Sequence, residues 1–238
     1  MIWTDHAIVL STRKHGENAV IVSVLTREHG RHAGLVRGGA GKRLSPLLQP
    51  GNLLRVEWKG RLDEHLGTFQ VEMEESYSAK AMTNRDMLIK LNLVCAMCDC
   101  CLPERQHIDG LFGSTLLLFS ILEESRLWPE VYQNWELGLL NELGYGLDLT
   151  ACAATGQTGD LIYISPKSGK AVSRDAGEPY KNKLFPLPYH LLVDEVKPTK
   201  NDLLVTLQIT EHFIERFILT PVGKKIPSAR QRFIDRLK

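Results

Sequence analysis

Short runs of alternating or continuous apolar residues fill the first third of this 238-residue chain. Turn signals such as Pro50-Gly51 and Lys59-Gly60 separate the runs, which indicate β-strands because polarity alternates with a period of two. The five predicted strands span residues 7–13, 18–25, 31–37, 52–59 and 67–74. Five short strands predict a small closed or partly open barrel, since closure removes exposed sheet edges. An OB-fold is the first choice, and an SH3-like barrel has nearly the same pattern.

From residue 84 the apolar period becomes helical, and a stretch rich in Thr, Gly and Ser at about 150–182 interrupts it as a small hairpin. The predicted helices span residues 84–102, 108–126, 129–143, 188–193, 203–219 and 228–238. We therefore expect an α+β chain in two domains. Residues 1–80 would form the OB-fold barrel, and residues 81–238 would form a helical domain that carries the hairpin.

Composition narrows the class of protein. A hydrophobic content of 43% suits globular domains with real cores, and no run approaches the roughly 18 apolar residues that a membrane helix needs. The N-terminus lacks the pattern of a secretion signal, so we expect a cytoplasmic protein without membrane association. Four of the five cysteines lie between positions 95 and 101. Cys95 and Cys98 share the apolar face of a predicted helix, which favours core packing over thiol chemistry.

Charge is segregated along the chain although the net charge is only +1. Residues 1–61 carry 10 Lys and Arg against 4 Asp and Glu, and residues 197–238 carry 9 against 4. The segment between them is acidic. Basic ends on a globular chain are suited to attracting a polyanion.

The densest basic segment is residues 26–43, where glycines alternate with cations. Lys and Arg attract phosphates without regard to sequence, and glycines allow a close approach of the backbone. We predict seven phosphate contacts, the last two of them weaker: Arg27, Arg31, Arg37, Lys42, Arg43, Arg13 and Lys14. Gly41-Lys42 is not a nucleotide-binding P-loop, because Val36 and Arg43 stand where that motif needs Gly and Ser or Thr. Trp58 and Phe69 are better explained as core residues than as base-stacking platforms.

No catalytic constellation is present in the sequence, which has neither a Gly-x-Ser-x-Gly elbow nor a His-Glu-x-x-His motif. His29-x-x-His32 has no nearby third ligand, and the acidic run that ends β-strand five is typical of a solvated edge. We therefore expect a binding protein, not an enzyme, with no metal and no cofactor.

Several motifs together resemble the bacterial recombination mediator family RecO. They are His15-Gly16-Glu17-Asn18, the run at 26–30, Val36-Arg37-Gly38, the run at 48–51, the Leu-Gly-Tyr-Gly-Leu-Asp-Leu segment at 143–149, and the run at 164–169. The resemblance covers most of the chain and is specific only in combination.

The resemblance implies a function in DNA repair and recombination. It implies binding to single- and double-stranded DNA, annealing of complementary strands without ATP, and association with the nucleoid. It also implies three partners: the ring-forming protein RecR, the acidic C-terminal tail of single-stranded DNA-binding protein, and indirectly the recombinase RecA. An acidic tail would need an apolar pocket with a basic rim, for which Arg216, Lys224 and Lys225 are our candidates.

Many members of that family carry a four-cysteine zinc knuckle in the hairpin. Here Cys152 has Thr155 at the partner position and Val172-Ser173 at the later site, so we expect a degenerate knuckle that holds no zinc. Two alternatives to DNA repair stay open at this stage. One is an RNA-binding OB-fold protein, and the other is an assembly module whose basic faces bind acidic protein tails.

Overall fold

A computed structural model describes residues 1–62 and 64–238. These residues form two compact units. The first comprises Met1–Glu124 with Pro227–Phe233, and the second comprises Ser125–Ile226 with Ile234–Lys238. We predicted a domain boundary after residue 80. Whether residues 1–80 fold independently of the rest of the chain stays a prediction.

The first unit contains a closed five-stranded barrel in the order β1-β2-β3-β5-β4. Its strands are β1 (Ile2–His15), β2 (Ala19–Thr26), β3 (Arg31–Val36), β4 (Leu53–Lys59) and β5 (Thr68–Glu75). The long β1 closes the barrel, because its first half pairs with β4 and its second half pairs with β2. The predicted OB-fold is thereby confirmed, as is the α+β class.

Alternating strand residues fill the barrel as the pattern predicted. Val22, Val24 and Trp58 are fully buried, and Phe69 is 3% exposed. The indole Nε1 of Trp58 donates a hydrogen bond to the carbonyl of Leu66 at 3.1 Å. Trp58 and Phe69 are therefore core residues, in agreement with the sequence interpretation.

β1 begins at Ile2, five residues before the predicted start. The sequence pattern fails there because a carboxylate occupies an inward position: Asp5 is only 6% exposed. Hydrogen bonds satisfy it, since it accepts from the backbone N–H groups of His6 and Glu28 at 2.7 and 2.9 Å. A buried polar residue of this kind is tolerated when it is paired.

The connection from β3 to β4 is packed against the barrel. Leu48 is part of the barrel core, and Leu44 and Leu47 pack beside it. Ala40 N donates to Asn18 O at 3.3 Å, which ties this connection to the turn between β1 and β2. The leucines of this connection therefore anchor it to the barrel.

Helices follow the barrel, and their bounds are α1 (Tyr77–Met82), α2 (Arg85–Cys101), α3 (Leu111–Ser120) and α4 (Trp128–Glu142). α2 begins after Asn84, whose side chain accepts from Asp86 N, as expected for an N-cap. Cys95 and Cys98 are buried on α2, and burial raises the pKa of both thiols. Core packing of these cysteines is confirmed.

In the second unit, the hairpin is a three-stranded sheet in the order β7-β6-β8. Its elements are β6 (Leu161–Ile164), β7 (Ala171–Ser173), the short helix α5 (Arg174–Gly177) and β8 (Phe185–Pro186). α6 (Lys200–Phe213) begins at a capping box formed by Thr199 and Asp202 and continues as a π-helix over Ile214–Leu219. The last helix of the chain is α7 (Ser228–Leu237), whose first residues are assigned to the first unit and whose last residues are assigned to the second. Among the described residues, no helix combines the length and the apolar character that crossing a bilayer requires.

Candidate nucleic-acid interface

A groove of about 910 Å³ runs along the outside of the barrel between β3 and β5. Four cations line it: Arg37, Arg43, Lys59 and Arg61. Among the described residues, the groove lining contains one carboxylate, that of Glu72. The groove therefore has a positive balance, which suits a phosphate backbone.

Barrel geometry opens this groove. β3 and β5 share a single residue pair, Leu35 with Thr68, whereas β4 and β5 pair along their whole length. Because strand residues alternate between faces, Phe69 points into the core while Gln70 and Glu72 are exposed. The exposed face of β5 is therefore polar. Cations flank it, and they come from the ends of β3 and β4 and from the loops that follow these two strands.

Arg13 and Lys14 lie at the same end of the barrel as Arg37. Lys14 pairs with Val20 in the β1–β2 ladder, and Val20 pairs with Val36 in the β2–β3 ladder. Both cations are exposed on the β1–β2 ribbon. They could lengthen a basic surface that starts at the groove.

Arg37, Lys42 and Arg43 are exposed on the anchored β3–β4 connection. Arg37 and Arg43 line the groove, and Lys42 lies between them in sequence. Because Leu44, Leu47 and Leu48 carry the packing of this connection, changes to the three cations should leave the fold intact.

Arg31 is held elsewhere, although it belongs to the same basic run. Its side chain is only 12% exposed. Its Nε donates to Leu102 O at 2.8 Å, and Nη1 lies 3.4 Å from a carboxylate oxygen of Glu104 and 3.7 Å from one of Asp99. These contacts favour a structural role for Arg31 over contact with a strand in the groove.

Arg27 is also turned to another surface. Its guanidinium carbon lies 5.4 Å from the centroid of the Phe112 ring, within the range of a cation–π interaction. Arg27 is exposed, but the groove does not include it among its lining residues. Arg27 therefore does not belong to the groove surface.

Lys59 and Arg61 are the groove residues that sequence reasoning missed. They flank Gly60 at the end of β4, 22 positions or more after Arg37, and barrel closure brings them together. The available signal was Lys59-Gly60-Arg61 itself, a basic turn between two predicted strands.

The candidate rim for an acidic tail lies in the second unit. Arg216, Lys224 and Lys225 are exposed there. The Arg216 guanidinium lies 5.3 Å from the ring centroid of Phe217, and that ring stacks on Tyr145 at 5.4 Å. Val222 is 63% exposed close by in sequence. Arg216 thus lies against aromatic side chains, a combination of charge and apolar surface that an acidic amphipathic peptide would require.

The hairpin of the second unit has one thiol where a zinc knuckle needs four ligands. The backbone N and hydroxyl of Ser173 donate to Cys152 Sγ at 3.2 and 3.3 Å. Burial raises the pKa of the Cys152 thiol, but hydrogen bonds from Ser173 and Thr155 outweigh it and bring the pKa to about 6. These residues do not fit zinc, because serine and threonine hydroxyls replace the missing thiolates.

We therefore expect purified protein to contain no stoichiometric zinc. No group of three or more His, Cys, Asp or Glu that could hold a metal ion occurs among residues 1–62 and 64–238. Elemental analysis of protein prepared without chelator tests this. A content near one zinc per chain would contradict the assignment of the hairpin as a hydrogen-bonded substitute for a metal site.

Comparison with known proteins agrees with this architecture. Residues 1–77 match the family model "Recombination protein O N terminal", and residues 82–225 match "Recombination protein O C terminal". A DNA repair protein RecO of Rhodospirillum rubrum is 43% identical over 242 residues, covering 99% of this chain and 96% of the relative. The corresponding protein of Rhodospirillum centenum is 45% identical, covering 100% and 95%, and that of Caulobacter vibrioides is 41% identical, covering 100% and 98%.

Proposed function

The chain belongs to the recombination protein O family of DNA repair proteins, and we propose that it acts by binding single- and double-stranded DNA along the basic groove of its barrel. The resemblance inferred from the sequence motifs is confirmed by this membership. The observation that carries the proposal is the convergence of Arg37, Arg43, Lys59 and Arg61 on one open groove. OB-folds typically bind strands with such a surface.

The proposed activity is non-enzymatic mediation. Cations that hold the phosphates leave the bases of a strand free to pair, so two bound strands could anneal without ATP. Phosphate contacts also carry little sequence information, which suits a repair protein that must act anywhere in a genome. In this proposal the protein helps to load RecA onto strands coated by single-stranded DNA-binding protein.

Two protein partners belong to the proposal. The acidic C-terminal tail of single-stranded DNA-binding protein would bind beside Arg216, Lys224 and Lys225, where the cations could pair with its carboxylates. RecR is the second partner, and family membership is the support for it.

Competition binding distinguishes this proposal from RNA binding and from simple tail binding. We expect unlabelled DNA to displace a labelled single strand from the protein more effectively than RNA of the same sequence. An acidic amphipathic peptide should leave the strand bound, because the groove and the Arg216 region lie in different units. Preference for RNA would favour an RNA-binding function, and displacement by the peptide alone would favour an assembly module.

Strand annealing tests the proposed activity itself. Two complementary labelled strands should pair faster with protein than without it, in the absence of nucleotide. A rate unchanged by saturating protein would contradict mediation even if DNA binding were demonstrated.

A further inference from the structure

A second cavity, of about 480 Å³, lies in the first unit at the start of β1. Its lining consists of Met1, Trp3, Glu28, His29, His32, Arg105 and His107, so it holds one carboxylate beside one guanidinium. The cavity is within the size range of small-ligand sites and combines flat rings with a few polar groups. Neither the groove described above nor the predicted phosphate contacts account for it.

Three rings form a stacked column that ends in this cavity. Trp58 and Trp3 lie with centroids 5.6 Å apart at 16°, and Trp3 and His29 lie 4.0 Å apart at 8°. Exposure rises along the column, from a fully buried Trp58 to a His29 side chain that is 36% exposed. The outermost ring is therefore an imidazole that faces the cavity on a rigid aromatic base.

The orientation of His29 is fixed before any ligand arrives. Its Nδ1 lies 2.9 Å from Asp5 Oδ2, and that carboxylate side chain is 3% exposed and also accepts the N–H of Glu28. This contact holds the imidazole flat against Trp3. It also explains why a carboxylate is buried in β1.

Arg105 forms another wall of the cavity, and hydrogen bonds to two backbone carbonyls hold it in place. Arg105 N donates to Arg31 O at 2.7 Å, and Arg105 Nη2 donates to His65 O at 3.2 Å. A Cβ on Gly30 would lie 2.0 Å from the carbonyl oxygen of Gln106, so the turn and this wall touch closely. The cavity is preformed, with a cation at its edge.

The cavity adjoins the basic groove. The amino group of Met1, which lines the cavity, donates to the carbonyl of Gly60 at 2.7 Å, and Gly60 lines the groove. A strand that leaves the groove at Gly60 would therefore pass the N-terminal residue at the edge of the cavity.

We propose that this cavity binds one unpaired nucleobase of the strand held in the groove, stacked on His29, with its phosphate near Arg105 and His107. The inference rests on the proposed function, because it assumes a strand in the groove. Flat rings recognise any base through its π-face, and such stacking tolerates sequence differences. The site would fix the register at which the strand leaves the protein.

Abasic scanning tests the proposal on the full-length protein. In a short oligothymidylate, each position in turn is replaced by an abasic residue, and affinity is measured. We expect one position, or two adjacent ones, at which the loss of the base lowers affinity about tenfold, as expected for one stacked base. His29→Ala should abolish that position dependence, whereas His29→Phe, which keeps a flat ring, should retain it.

His6→Ala is the matched control, because His6 is a partly exposed histidine of β1 outside the cavity lining and pairs with Glu74. It should keep the wild-type profile. As a second readout on unaltered protein, 5-iodouracil at the sensitive position should crosslink to residues 28–32 or 105–107.

The outcomes separate this proposal from the groove itself. A flat abasic profile for wild-type protein that still binds the strand would overturn the base site and leave groove binding intact. A profile that is unchanged in His29→Ala, or crosslinks confined to other segments, would overturn it equally. Failure of wild-type protein to bind any strand would overturn both proposals.

Discussion

Reversing three groove cations, Arg37→Glu, Arg43→Glu and Arg61→Glu, is expected to lower single-strand affinity by at least about 100-fold. All three residues are exposed and line one groove, so each reversal removes a phosphate contact and adds repulsion. With five contacts, including Lys42 and Lys59, wild-type affinity should fall with salt at a log–log slope of about −3.5, taking roughly −0.7 per contact. The variant should show a slope of about −1.4 for two contacts.

The matched control is a second triple variant, which has the same change in net charge but on surfaces outside the groove. Arg85, Arg126 and Lys183 are exposed and lie outside the groove lining, so their reversal to Glu should change affinity only slightly. Fluorescence anisotropy with a labelled oligothymidylate at several salt concentrations measures both quantities. If the groove variant is folded and binds within a few-fold of wild type, the strand does not run in the groove, and the basic segment 197–238 becomes the alternative.

Trp58→Ala is expected to lower the free energy of unfolding by about 3–5 kcal/mol, the usual cost of removing a large aromatic side chain from a core. Trp58 is fully buried, and its loss leaves a cavity and removes the hydrogen bond to the Leu66 carbonyl. The loop between β4 and β5 depends on the same ring, because a Cβ on Gly67 would lie 2.4 Å from it. The groove wall that carries Arg61 should therefore loosen as well.

Urea denaturation followed by circular dichroism measures this change. Met73→Ala is the control, since Met73 lies on β5 of the same barrel but is 38% exposed. Its cost should stay within about 0.5 kcal/mol. A cost below about 1 kcal/mol for Trp58→Ala would mean that the barrel core does not depend on this ring as its packing implies.

The strands were predictable from the sequence because buried and exposed residues alternate regularly along them. In β4, for example, Leu54, Val56 and Trp58 are buried, whereas Arg55 and Glu57 are exposed. The start of β1 was missed because Asp5 breaks that pattern. Two of its three partners, Glu28 and His29, come from a turn more than 20 residues away. α1 was missed because six residues give too little period to recognise.

The basic surface was predictable only in part, because neighbours in sequence separate along a strand. Arg31 is the first residue of β3 and Arg37 follows its last residue. Six strand positions span about 20 Å, so the two side chains reach different ends of the barrel. Conversely, Lys59 and Arg61 join Arg37 through barrel closure, which no local pattern reveals. Which of these cations contacts DNA stays a prediction.

The most direct test of the central proposal is photocrosslinking from inside the groove. Gln70 is exposed on β5 and lines the groove, so p-benzoylphenylalanine at this position should crosslink to a bound single strand in low salt. The same group at Ser120, exposed at the end of α3, should not. Crosslinking from position 70 that declines as salt releases the strand is the result we predict. Efficient binding with no crosslink from position 70, or with crosslinks from position 120 instead, would contradict a strand in the groove.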